Sequence, residues 1–228
     1  DVEPGEVVTI DDFGLTSRFF VEKEQIKPAH CIFEHVYFSK QNSRIFGENV
    51  YEFRKKSGAR LAIEHPVEAD IVTPIPDSGT AAAIGFAHQS GINFEMGFVR
   101  SHYIGRTFIS PTQELRDLAV KLKLAVGKEA VYGKRGVGVD DSIVRGTTTR
   151  GKVRSLREAG AKEVHIRISC PPVTHPCFYG VDFPTKEELV ANNMTLDELC
   201  DFLEADSLGY LSLDGMLECE SLPNNHYC

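Results

Sequence analysis

Three short strand-like runs, at 69–75, 133–139 and 164–168, the first of them rich in β-branched residues, set the strongest constraint on the fold. Each ends at turn-forming or polar residues: Pro76-Asp77-Ser78-Gly79-Thr80, Asp140-Asp141 and Pro171-Pro172. Between them lie helical stretches, an Ala-rich one reaching Gln89 and another from Thr149 to Ala159, stopped by Gly160. A second short apolar run at 94–99, a long polar loop at 101–112 and a predicted helix over 113–126 fill the gap. Strand, loop, helix and strand at this spacing form βαβ units. They predict an α/β fold with a mostly parallel sheet flanked by helices. Ligands of such sheets sit at the carboxyl ends of the strands. An amphipathic helix is predicted over 48–63, weakened by Gly58. Two short helices are predicted at 185–191 and 195–205, the second opened by a Thr195/Glu198 capping box. Residues 2–21 read as short strands or an extended linker, and the aromatic segment 31–38 as buried.

Charge narrows the function classes. Lys plus Arg number 25 and Asp plus Glu 33, a formal net charge of −8. Such a chain is not built for nonspecific binding of nucleic acid or an anionic membrane surface. No apolar run approaches the length of a transmembrane helix, and no signal peptide is evident. Six cysteines without a secretory signal predict thiols or metal ligands rather than disulfides, in a reducing, cytoplasmic setting. The chain starts at Asp1 and stops at Cys228, and is expected to be part of a longer one.

The most informative segment is Val137-Gly138-Val139-Asp140-Asp141-Ser142-Ile143-Val144-Arg145-Gly146-Thr147-Thr148. A strand delivers two adjacent carboxylates to the sheet edge, and a small hydroxyl-rich loop then opens a helix. Backbone N–H groups at a helix start attract phosphate, Gly146 permits close approach, and Thr147 and Thr148 add hydroxyls. The carboxylates would repel a phosphate, but can hold sugar hydroxyls or a Mg²⁺ bridging to pyrophosphate. On spacing alone the same residues fit an ordinary capped helix after a strand. The segment is neither a Walker loop nor a dinucleotide loop.

Asp140–Thr148 resembles the phosphoribosyl pyrophosphate (PRPP) signature of type I phosphoribosyltransferases. Cys31-Ile32-Phe33-Glu34-His35-Val36-Tyr37-Phe38, Pro76-Asp77-Ser78-Gly79-Thr80, Tyr103-Ile104-Gly105-Arg106-Thr107-Phe108-Ile109 and His175-Pro176-Cys177-Phe178-Tyr179-Gly180 narrow the resemblance to glutamine PRPP amidotransferases. It spans almost the whole chain. It implies that ammonia, released from glutamine elsewhere in the enzyme, displaces pyrophosphate from C1 of PRPP to give 5-phosphoribosylamine, the start of purine synthesis. By resemblance, Asp140 and Asp141 hold the ribose hydroxyls and Mg²⁺, with Ser78 near the metal. Ser142, Ile143, Val144, Arg145, Gly146, Thr147 and Thr148 hold the 5-phosphate. Asp77, Ser78, Gly79 and Thr80 cradle the pyrophosphate, and Arg106 acts from a lid at 101–112. Read without the family, the 76–80 loop is a plain turn. A non-catalytic PRPP- or nucleotide-binding regulatory module, or another type I phosphoribosyltransferase, is the rival reading.

No Cys-x-x-Cys occurs, so spacing alone marks no zinc or iron–sulfur site, and the cysteines read as small buried residues. The resemblance implies more: Cys31, Cys177 and Cys228 match ligands of the [4Fe–4S] cluster that some members carry. It also implies purine nucleotide feedback and a homo-oligomer, a tetramer. Residues 1–30 are expected to join the phosphoribosyltransferase domain, 31–228, to a glutaminase half whose N-terminal Cys nucleophile this chain lacks. Gly136 and Gly138 are expected to weaken the strand before the acidic pair.

Overall fold

The computed structural model describes residues 2–100, 124–181 and 185–228. Arg106, the loop 101–112 and most of the predicted 113–126 helix lie outside the described residues.

In chain order the strands are β1 (Glu6–Asp11), β2 (Gly14–Phe19), β3 (Arg44–Ile45), β4 (Glu48–Asn49), β5 (Ile71–Pro74), β6 (Asn93–Phe94), β7 (Phe98–Arg100), β8 (Leu124–Val126), β9 (Arg135–Asp140), β10 (Glu163–Ile168) and β11 (Ser207–Tyr210). The α-helices are α1 (Val50–Glu64), α2 (Gly79–Ser90), α3 (Lys128–Val131), α4 (Thr147–Glu158), α5 (Leu196–Leu203) and α6 (Leu213–Leu217). Five strands form one sheet in the order β11-β10-β9-β5-β6, parallel throughout. Strands covered on both faces read as continuous apolar runs. Val137, Val139, Ile166, Ile168, Ile71 and Val72 accordingly form the core.

Helix α1 starts where Asn49 accepts the N–H of Glu52, a side-chain cap. It packs along α2 with the two backbones in contact. A Cβ on Gly58 would stand 1.8 Å from the Ala82 carbonyl oxygen, and one on Gly85 1.9 Å from that of Lys55. The glycine expected to weaken α1 is therefore what lets the two helices meet.

Gly136 and Gly138 sit in the middle of the sheet, where Ile71, Ile75 and Ile166 fill the space their side chains leave. A Cβ on Gly138 would meet the Ile166 side chain at 3.2 Å, while one on Gly136 meets nothing closer than 3.7 Å. The strand pairs through all six of its residues with β10, so neighbours compensate for the missing side chains.

Several expectations needed correction. Residues 124–126 are strand, not the end of a helix, because they pair antiparallel with Phe98–Arg100. The 185–191 segment is two 3₁₀ turns, Lys186–Glu188 and Val190–Asn192. The Thr195/Glu198 capping box forms as predicted, but α5 stops at Leu203 because Glu204 turns left-handed, at φ 61°. In the segment 31–38, His35 and Val36 are buried, whereas Tyr37 and Phe38 are 49% and 44% exposed. Residues 6–19 form an antiparallel hairpin.

His35 is held between two acceptors inside the core. Its Nδ1 lies 2.7 Å from Glu220 Oε1 and its Nε2 3.0 Å from the Ile45 carbonyl. Burial works against the charged imidazole, but the Glu220 hydrogen bond and the Ile45 carbonyl outweigh it and raise the His35 pKa. A raised histidine pKa contributes stability that is complete below the unfolded value of about 6.5 and is lost as pH rises through the folded value. Urea unfolding at rising pH should therefore show a loss of stability on the alkaline side of that value. His35→Gln should remove this pH dependence.

Candidate active site

The carboxyl ends of β5 and β9 open into a cavity of about 1040 Å³. From β5 comes the turn Pro76-Asp77-Ser78, and from β9 come Asp140, Asp141 and the whole loop Ser142–Thr148. The facing wall is Phe33 with Tyr37–Gln41 and Arg54, and Arg100, Thr149, Lys152 and Val181 complete the lining. Two segments 62 positions apart in the sequence, from Ser78 to Asp140, thus meet at one place because β5 and β9 are neighbours. Gly79 and Thr80, predicted to cradle the substrate with Asp77 and Ser78, open α2 and are not among the residues that line the cavity. Gly79 is compact for a reason: a Cβ there would stand 2.4 Å from the Val139 carbonyl oxygen. That close approach sets Ser78 against the acidic pair.

The pair itself is buried, Asp140 at 4% and Asp141 at 6% exposure. Asp141 accepts the hydroxyls of Ser78 and Ser142. Asp140 accepts the Lys152 ammonium at 2.9 Å and the Asp141 N–H at 3.0 Å. Burial, and then the neighbouring Asp140 charge, push the Asp141 carboxyl well above the usual range, against the pull of the two hydroxyls. Two adjacent buried carboxylates with one ammonium between them are short of positive charge.

Gly146 is left-handed, at φ 78°, and turns the chain into α4. A residue with a side chain would be strained there, and its Cβ would also meet Phe202 at 3.2 Å. Ile143 anchors the loop in the core at 2% exposure. The Val144 carbonyl accepts the N–H of Val190 at 2.9 Å, and Arg145 pairs with Glu188 at 2.8 Å. Arg100, at the end of β7, pairs with Asp77.

Hard oxygen donors on two carboxylates suit Mg²⁺, which takes one or two carboxylates and fills its remaining positions with water and substrate phosphates. The residues present fit that metal. The cysteines do not fit a cluster in the same way. The Cys228 N–H donates to the His30 carbonyl at 2.8 Å, which brings the chain's end beside Cys31. Cys177 lies in another loop, where the N–H groups of Tyr179, Val181 and Gly180 hold its thiol below the usual range. Among the described residues, no three His, Cys, Asp or Glu side chains gather as metal ligands would. No chemistry is derived through a cluster.

Sequence reasoning missed Arg54, Gln41 and Lys152. Arg54 lies on the buried stripe of α1 with Val50, Phe53 and Leu61, and a charge on an apolar stripe is a legible signal. It donates to the His35 and Ser39 carbonyls at 2.8 and 2.9 Å, fastening the facing wall to the helix. Gln41 donates to the Asp77 carbonyl at 2.8 Å. Lys152 follows Thr148 by one helical turn, so the two share a face.

No protein-family model matches the chain. Among curated proteins, the chloroplastic amidophosphoribosyltransferase of Vigna aconitifolia is 52% identical over 231 aligned residues, which cover 100% of this chain and 47% of that protein. The amidophosphoribosyltransferase of Bacillus subtilis is 50% identical over 218 residues, 96% of this chain and 45% of its own length. The solved structure of the B. subtilis glutamine PRPP amidotransferase, complexed with ADP and GMP, superposes with a TM-score of 0.87 at 48% identity. It covers 100% of this chain and 50% of that one. Over its whole length this chain is homologous to amidophosphoribosyltransferases. Its architecture is the type I phosphoribosyltransferase fold. The chain spans about half the length of the amidophosphoribosyltransferases it matches. Among the described residues no helix is long and apolar enough to cross a membrane.

Proposed function

We propose that this chain carries the phosphoribosyl-transfer half of an amidophosphoribosyltransferase: ammonia replaces pyrophosphate at C1 of PRPP, giving 5-phosphoribosylamine. The observation that carries this reading is the convergence of Asp77-Ser78 and Asp140–Thr148 on one cavity, with a buried carboxylate pair between the β5 turn and the start of α4. The chain's residues have distinct tasks. Gly146, Thr147 and Thr148 present N–H and hydroxyl donors to the 5-phosphate at the start of α4. Asp140 and Asp141 accept the ribose 2- and 3-hydroxyls and the metal. The turn at Asp77 and Ser78 receives the pyrophosphate. Bound Mg²⁺ would neutralise the departing pyrophosphate as a Lewis acid. As C1 loses its leaving group, positive charge develops on the ribosyl ring, and the neighbouring carboxylates stabilise it. Phe33, Tyr37 and Phe38 limit water on the opposite side, where it would compete with ammonia.

In the longer relatives, glutamine would supply the ammonia from a separate half. The ADP and GMP in the B. subtilis relative support extending purine nucleotide feedback to this chain. The test is direct: PRPP, Mg²⁺ and an ammonium salt with the 228-residue chain should release pyrophosphate. The rate should rise with pH as ammonium becomes ammonia, because only the free amine is a nucleophile. Glutamine should not replace ammonium. Release of glutamate from glutamine would contradict this division of labour.

A further inference from the structure

The two carboxylates of the pair are not treated alike. Among the described residues, the hydrogen bonds donated to the Asp141 carboxylate come from neutral groups, the hydroxyls of Ser78 and Ser142. Asp140 holds a full cation, with Lys152 Nζ 2.9 Å from Oδ2. Both partners of this bond are sheltered, at 18% and 6% side-chain exposure, and both line the cavity. Lys152 reaches the site from the second turn of α4, the helix whose start is read above as the phosphate cradle. Its long stem lets one ammonium serve either the carboxylate or an anion in the cavity.

We propose that Lys152 is a resident counter-ion that competes with a divalent cation for Asp140, so that metal binding is conditional on the phosphorylated substrate. This rests on the reading of the cavity as a PRPP site. A divalent cation approaching Asp140 alone must displace an ammonium from a sheltered ion pair and stand beside it, and the two like charges repel. A sugar phosphate and a pyrophosphate change the balance by offering the ammonium another partner. Lys152 then turns from a competitor of the metal into a ligand of the substrate. Metal and substrate are thereby coupled, and the coupling is reciprocal. Lys152 is a positioning residue in this scheme: it orders the binding of metal and substrate and takes part in no bond change.

The test uses Mn²⁺ alone as the probe, followed by paramagnetic resonance of the free ion, with the wild-type chain, Lys152→Met and Lys152→Arg. Removing the resident charge should tighten Mn²⁺ binding about tenfold in Lys152→Met, the scale expected when one unit charge is taken from a few ångströms away. Lys152→Arg keeps the charge and should bind Mn²⁺ like wild type, which separates charge from packing. With PRPP added, Mn²⁺ affinity should rise much more in wild type than in Lys152→Met, because the Met variant has no competitor left to remove. Unchanged Mn²⁺ affinity in Lys152→Met, with a wild-type circular dichroism spectrum, would overturn the proposal. Failure of PRPP to bind the wild-type chain at any Mn²⁺ concentration would instead overturn the reading of the cavity, and the Mn²⁺-only comparison would still decide the role of Lys152.

Discussion

Gly58→Ala is expected to cost about 3 kcal/mol of folding stability or more, read as a drop in the urea midpoint. The added methyl would stand 1.8 Å from the Ala82 carbonyl oxygen. That neighbour is backbone within α2, so it can move only if the helices separate. Separation would loosen Phe53, Leu61, Ala82 and Phe86, all in the same core. The reciprocal contact of Gly85 with the Lys55 carbonyl means that Gly85→Ala should cost a similar amount. Gly151→Ala gives the opposite sign. Gly151 is exposed within α4 and nothing lies within 4 Å of the position of its Cβ. Alanine there should stabilise by about 0.5–1 kcal/mol through backbone entropy alone. Equal losses at 58 and 151 would show that the α1–α2 contact does not decide the effect.

The second large effect concerns Asp141. A carboxyl whose pKa is raised by burial and by its neighbour Asp140 destabilises the folded chain once it must ionise. The sign follows: the penalty is absent below the unfolded carboxyl value of about 3.9, grows as pH rises through the interval up to the folded value, and is complete above it. Asp141→Asn should therefore melt higher than wild type at mildly alkaline pH, with the difference vanishing in acid. The same substitution should cost more than about a hundredfold in Mg²⁺-dependent PRPP affinity, since a metal and two ribose hydroxyls lose a charged acceptor. A site kept at the expense of stability is what a functional carboxylate pair predicts. Thermal melts and calorimetric titration on the same two proteins read both halves of this expectation.

The parts of the site legible in the sequence are those whose chemistry is local. Asp140 to Thr148 carry carboxylates, a left-handed glycine and hydroxyls in one continuous stretch, and strand periodicity places them at a sheet edge. The pairing of that stretch with Asp77 and Ser78 needed only that β5 and β9 be neighbours. What stayed hidden depends on distant backbone. Gly58 looked like a flaw in a helix because the Ala82 carbonyl that excludes a side chain lies on another helix. The strand Ser207–Tyr210 was unmarked because Gly209 interrupts its apolar run, and a Cβ there would meet His65 at 2.7 Å. Tyr37 and Phe38 looked like core, but they face the cavity. Lys152 sat on a polar helix whose charges mostly pair on the surface, as Arg150 and Arg154 do with Glu204. Its inward direction follows only from the turn of α4 against the acidic pair.

Isothermal titration of PRPP into the chain in the presence of Mg²⁺, compared with the Asp140→Asn, Asp141→Asn double variant, is the decisive measurement for the acidic pair. The wild-type chain should bind PRPP, and binding should disappear when Mg²⁺ is removed by a chelator. The double variant should show no measurable binding while remaining folded by circular dichroism. PRPP affinity unchanged in the double variant would rule out the pair as the PRPP and metal site.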